Sequence, residues 1–123
     1  MNAKENNFSE HVIKFILTRN DGELGDLTVE KITHALKVSQ SYLYETFKNE
    51  KKVTPGKYLV MVKMFRSASL LENGENLPVK KIAHKMGFAN PDYFIKIFRE
   101  HFGTTPGRYR GYAKTKQFLS PGH

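Results

Sequence analysis

An all-α fold made of two related helix pairs joined by a longer helix is what the sequence predicts, and three observations predict it. The first is an internal repeat: residues 79–110, VKKIAHKMGFANPDYFIKIFREHFGTTPGRYR, are an edited copy of residues 29–58, VEKITHALKVSQSYLYETFKNEKKVTPGKY. The second is a slip in register. Val29, Ile32, His34 and Val38 precede Val79, Ile82, His84 and Phe88 by 50 residues, whereas Ser39, Tyr42, Leu43, Phe47, Thr54, Pro55, Gly56 and Tyr58 precede Asn90, Tyr93, Phe94, Phe98, Thr105, Pro106, Gly107 and Tyr109 by 51. One added residue at one point, with register kept on both sides, is what a turn between two helices tolerates. The third is periodicity. Val79, Ile82, Ala83 and Met86 recur at helical spacing, and Phe94, Ile97 and Phe98 do so again after the slip.

In chain order, residues 1–7 read as a flexible lead, and residues 8–54 as the first helical subdomain. Phe8, Val12, Phe15 and Ile16 have helical spacing, so a first helix is expected to end near Arg19 and to be followed by a polar loop, NDGELGD. Thr28 is placed to cap the next helix. Lys37 stands where the second copy has Gly87; if that position needs a positive φ, the lysine costs about 1 kcal/mol. Residues 55–72 read as a connector helix. Its apolar residues form two stripes, Tyr58, Met61, Phe65 and Ala68 on one and Leu59, Val60 and Leu70 on the other, with Lys57, Lys63 and Arg66 as solvated charges. A helix of that length rises about 25 Å, against about 34 Å between successive major-groove sites on one DNA face.

Glu72 to Pro78 reads as a loop with Gly74 as the helix stop. Residues 73–113 form the second subdomain and residues 114–123 a flexible tail. Within it Gly87 supplies the left-handed residue that closes a helix. Asn90 is a good N-cap, and Pro91 occupies the first helical position, where a missing N–H costs nothing. His34 and His84 read as partly buried packing residues.

Composition narrows the function. Hydrophobic residues make up 39% of 123, with nine Phe and six Tyr, enough to fill a core. There is no Cys, hence no disulfide and no thiol chemistry. No apolar run approaches a membrane span and the polar start is no signal peptide, so the sequence reads as a cytoplasmic protein without a membrane partner. The histidines are scattered and no phosphate-cradling glycine loop occurs. No catalytic residue, metal site or cofactor is therefore expected. Net charge is +8, unevenly spread. Residues 1–50 hold six Lys/Arg against eight Asp/Glu, a net −2, and residues 51–123 hold fourteen against four, a net +10. A basic balance favours a polyanion.

Two helices joined by a tight turn, the second with a polar and basic outer face, is the helix-turn-helix geometry that sets a recognition helix in the DNA major groove. The outward offsets give Pro91, Asp92, Ile95, Lys96 and Arg99 in the second copy and Gln40, Ser41, Tyr44, Glu45 and Lys48 in the first. The same helices would also suit a protein-interaction module, or a packed bundle whose polar face is merely solvated.

The run GFANPDYFIKIFREHFGTTPGRYR resembles the signature segment of AraC-type transcriptional regulators, and VSQSYLYETFKNEKKVTPGKYL resembles the first helix-turn-helix of the same domain. The resemblance spans roughly residues 8–113. It implies two homeodomain-like helix-turn-helix subdomains joined by a connector helix, bacterial-type transcription regulation, and double-stranded promoter or operator DNA as partner. RNA polymerase is a further candidate partner. Base contact is expected first from Asp92, Ile95 and Lys96, and from Gln40, Ser41, Tyr44 and Glu45. Lys96 suits guanine, Gln40 adenine and Ile95 a thymine methyl. Lys48, Arg99, Arg108 and Arg110 are candidates for phosphate contact, with Arg108 and Arg110 equally readable as surface cover. Thr54 and Thr105, at helix starts, are candidates for phosphate contact or for capping alone. Glu45 departs from the basic or amide residue common at its place in the family. The isolated domain is expected to be monomeric, either as a stand-alone regulator or as the C-terminal piece of a longer chain.

Overall fold

A computed structural model describes residues 3–73 and 76–119. Among them are eight helices and no strand: α1 (Ala3–Leu17), α2 (Asp21–Asp26), α3 (Val29–Leu36), α4 (Gln40–Lys51), α5 (Pro55–Glu72), α6 (Val79–Lys85), α7 (Pro91–Phe102) and α8 (Pro106–Leu119). The chain divides into two compact units, Met1–Lys63 and Met64–His123. The division falls inside α5, so the helix read as a separate connector gives its first half to one unit and its second half to the other.

The first unit buries Val12 and Ile16 of α1, Leu24 and Leu27 around α2, Ile32 of α3, Leu43 and Phe47 of α4, and Leu59 and Val62 of α5. Polar ties fasten α1 to the end of α4: the Ser9 hydroxyl donates to Glu50, and Lys51 pairs with Glu10. Phe8 meets Tyr42 edge-on at 4.9 Å.

Three expectations about this unit need correcting. The stretch NDGELGD is a helix, α2, not a loop. The Asn20 N–H donates to Glu23 Oε1 (2.9 Å) while the Glu23 N–H donates to Asn20 Oδ1 (2.8 Å), a reciprocal capping box that offsets the low helix propensity of its two glycines. Lys63 is not a solvated charge. It is buried, and its Nζ donates to the carbonyls of Gly25 (3.2 Å) and Leu27 (3.1 Å) at the C-terminal end of α2. Desolvation holds its pKa below the ordinary lysine value, against a smaller upward pull from Asp26. Thirdly, α1 begins at Ala3, within the stretch read as a flexible lead.

The second unit is filled by Ala68 and Leu71 of α5, Ile82, Ala83 and Met86 at α6, and Phe94 and Phe98 of α7. Each fully buried phenylalanine contributes about 1.5–3 kcal/mol by leaving water. An aromatic chain runs from Phe88 to Phe94 (5.4 Å), Phe94 to Phe98 (6.0 Å) and Phe98 to Phe102 (4.6 Å), and Tyr109 of α8 closes on both Phe98 and Phe102 at 5.6 Å. The α5 stripes also differ from expectation. Met64, Ser67, Ala68 and Leu71 are buried at i, i+3, i+4 and i+7, whereas Phe65 remains 57% exposed and only rests edge-on against Phe102. Helix α8 continues to Leu119, into the stretch read as a tail. The expected stop at Gly74, the first two residues and residues 120–123 lie outside the described residues.

The two inter-helix turns have the same hydrogen-bond pattern. The Val38 N–H donates to the Thr33 carbonyl (3.1 Å) and the Phe88 N–H to the Ala83 carbonyl (2.9 Å), closing α3 and α6 in matching Schellman-type ends. The residue before each is left-handed: Lys37 at φ 58° and Gly87 at φ 88°. The second pair of helix ends matches too, Lys52 at φ 63° after α4 and Gly103 at φ 74° after α7.

Candidate nucleic-acid interface

Each second helix of a pair starts on a side-chain cap. Ser39 accepts from the Tyr42 N–H (3.0 Å) to begin α4, and Asn90 accepts from the Asp92 (2.9 Å) and Tyr93 (3.4 Å) N–H groups to begin α7, with Pro91 following. Those caps fix the helical phase, and the phase sets which side chains face outward. Leu43 and Phe47 anchor α4 inward, Phe94 and Phe98 anchor α7, and the opposite faces are free.

On α7, Asp92, Ile95, Lys96 and Arg99 surround one shallow open concavity together with Glu100, which the sequence reading did not single out. Its place three and four residues after Ile97 and Lys96 was the available signal. Asp92, Lys96, Arg99 and Glu100 are exposed and Ile95 is half-buried. Among the described residues no carboxylate lies within ion-pairing distance of Lys96 or Arg99. The surface therefore offers two cations, two carboxylates and one apolar side chain on adjacent turns, a set able to donate to guanine, accept from cytosine and touch a thymine methyl.

On α4, Gln40, Ser41, Tyr44, Glu45 and Lys48 are all exposed. Lys48 leans on Tyr44, with its Nζ 5.4 Å from the ring centroid and 3.4 Å from the hydroxyl, which restrains the ammonium by a cation–π contact. Glu45 has no such restraint among the described residues.

The remaining candidates separate. Thr54 and Thr105 both cap helices, accepting from the Lys57 (3.2 Å) and Arg108 (3.4 Å) N–H groups of α5 and α8. Arg108 is exposed, but Arg110 is half-buried and its guanidinium donates to the Leu77 carbonyl, which makes it a tie between α8 and the segment before α6. His34 and His84, expected to be partly buried, are exposed near the ends of α3 and α6. The apolar stripes of those short helices turn both rings to solvent.

Paired helices of this kind, each with a capped, outward-facing second helix, define the class: a double helix-turn-helix domain. A family model for a helix-turn-helix domain matches residues 32–112. The chain belongs to the AraC-type helix-turn-helix family. It is 36% identical over 84 residues to the Msm operon regulatory protein of Streptococcus mutans, covering 68% of this chain and 30% of that protein. The chain thus spans about a third of the length of the curated relatives it matches. The C-terminal domain of the two-component response regulator yesN from Fusobacterium nucleatum has a TM-score of 0.72 and 28% identity, with coverage of 85% of this chain and 98% of that one. The DNA-binding domain of the global transcriptional factor AdpA, solved in complex with a target DNA, has a TM-score of 0.77 at 20% identity, covering 91% of this chain and 97% of that one, and shares its fold. No helix of the described residues is long and apolar enough to cross a membrane.

Proposed function

We propose that the chain binds specific double-stranded DNA and regulates transcription, with α4 and α7 reading segments of the major groove. The observation that carries this reading is the exposed face of α7, where, among the described residues, Lys96 and Arg99 stand without a carboxylate partner around Ile95 and Asp92 on a helix anchored by Phe94 and Phe98. Such a face is ready to meet base edges and phosphates at no cost in broken ion pairs. Operon regulation, the role named for the Streptococcus relative, is the process to which the reading assigns the chain. The isolated chain acts as a monomer, since two reading helices lie in one polypeptide, and RNA polymerase is the partner that such a role implies.

Selection of bound fragments from a random duplex pool at about 0.15 M salt, where backbone-only binding is suppressed, tests it. A bipartite enriched site supports reading by both helices. One short half-site assigns specificity to a single unit. No enrichment, and no binding at lower salt, overturns the DNA reading in favour of a protein-interaction module.

A further inference from the structure

Helix α6 carries a cationic surface that the base-reading face does not use. Lys80, Lys81, His84 and Lys85 are all exposed, while Ile82, Ala83 and Met86 turn inward. At 100° per residue the four span an outward arc of about 140°. No acidic residue lies on this helix, and among the described residues none of the three ammonium groups has a carboxylate within ion-pairing distance.

The repeat supplies an internal comparison. The positions of α3 that correspond to Lys80, Lys81, His84 and Lys85 hold Glu30, Lys31, His34 and Ala35. Three lysines face one lysine and one glutamate. Even the shared lysine is used differently, because Lys31 donates to the Asp26 carbonyl at 2.9 Å whereas Lys81 makes no side-chain hydrogen bond among the described residues. In helix-turn-helix docking the first helix of the pair crosses the sugar-phosphate backbone while the second enters the groove.

We infer that α6 is a phosphate clamp: Lys80, Lys81 and Lys85 neutralise backbone phosphates beside the groove that α7 reads, and α3 has no equivalent. The inference rests on the DNA reading above. It gives the second unit a share of the polyanion binding, through counterion release, that the first unit lacks.

The test compares the salt dependence of binding for the wild-type chain and the Lys80→Ala/Lys81→Ala/Lys85→Ala variant, on the duplex recovered by selection. Each lost phosphate contact flattens the slope of log K against log salt by about 0.9, so three lost contacts flatten it by about 2.7. Between about 50 and 200 mM salt the wild type then loses about forty-fold more affinity than the variant. The Lys80→Arg/Lys81→Arg/Lys85→Arg variant keeps the slope, and Lys31→Ala changes it by less than one contact. Thermal unfolding of each variant separates lost folding from lost binding. A wild type that binds its site with the same slope as the alanine variant overturns the clamp and leaves the DNA reading standing, as does a loss confined to one base position. A wild type that binds no duplex overturns both.

Discussion

Lys37 and Lys52 occupy left-handed backbone at φ 58° and 63°, where the matching positions of the second unit hold Gly87 and Gly103. A side chain with a Cβ costs about 1–2 kcal/mol in that region, and glycine returns part of the gain through its larger unfolded-state entropy. Among the described residues neither exposed lysine side chain makes a hydrogen bond or ion pair, so replacing it removes solvated atoms. Lys37→Gly and Lys52→Gly should each stabilise the first unit by about 0.5–1 kcal/mol, or about 1–2 kcal/mol together. For a domain of this size that raises the melting temperature by about 4 °C per kcal/mol. Thermal unfolding followed by circular dichroism reads the shift, and native-state hydrogen exchange assigns it to residues 3–63. The control is Lys37→Ala with Lys52→Ala, which removes the same ammonium groups but keeps the Cβ. An alanine pair that stabilises as much as the glycine pair would refute the backbone account and place the gain in relieved charge repulsion. The reciprocal change is available at Gly103, where a Cβ would meet nothing within 4 Å. Gly103→Ala should therefore lose about 1 kcal/mol through φ alone.

Four single side chains carry further expected outcomes. Lys63→Ala removes two charge-assisted hydrogen bonds to the end of α2 and should destabilise the first unit by about 2–3 kcal/mol, measured by chemical denaturation. Because its pKa is lowered on folding, the unfolded chain holds more protons between the folded value and about 10.4, so this lysine makes stability climb with pH across that window. Lys63→Met should abolish that part of the climb. Arg110→Ala should cost about 1–3 kcal/mol of stability through the lost bond to the Leu77 carbonyl, and leave the salt slope of DNA binding unchanged in titrations at several salt concentrations. Lys96→Ala should lose about 1–3 kcal/mol at one base position, whereas Arg99→Ala should weaken all sequences alike and flatten the slope by about one contact; reversed behaviour exchanges their roles.

What the sequence disclosed was whatever a period or a cap fixes locally. The repeat placed both turns, and the Asn90 cap with Phe94, Ile97 and Phe98 set the outward face of α7, which the repeat carried over to α4. The alignment of Lys37 with Gly87 pointed to a position where a positive φ would cost a lysine, and that φ is present. Lys52 carried the same signal against Gly103 and went unused. In the same way the polar stretch NDGELGD, which reads as a loop, carries the Asn20 to Glu23 spacing of a capping box. Other features depend on distant chain and had no local sign. The burial of Lys63 requires carbonyls 36 and 38 residues away, and the role of Arg110 requires one 33 residues away. A charged residue on a helix looks solvated until the element opposite it is known.

The two units reached stability by different routes from a common pattern, and the difference bears on function. The second has glycine at both left-handed positions, proline at the start of its reading helix, and a continuous aromatic chain from Phe88 to Tyr109, so α7 is held by its own backbone and core. The first carries lysine at both left-handed positions and compensates with long-range ties: Ser9 to Glu50, Glu10 to Lys51, Phe8 to Tyr42, and Lys63 to the end of α2. Three of those four ties connect α1 directly to α4. The position of α4 is thus tied to α1, and with it the exposed face that holds Gln40, Tyr44 and Glu45. On the DNA reading proposed above, α7 is positioned from within its own helix pair and α4 through α1, a helix outside its pair.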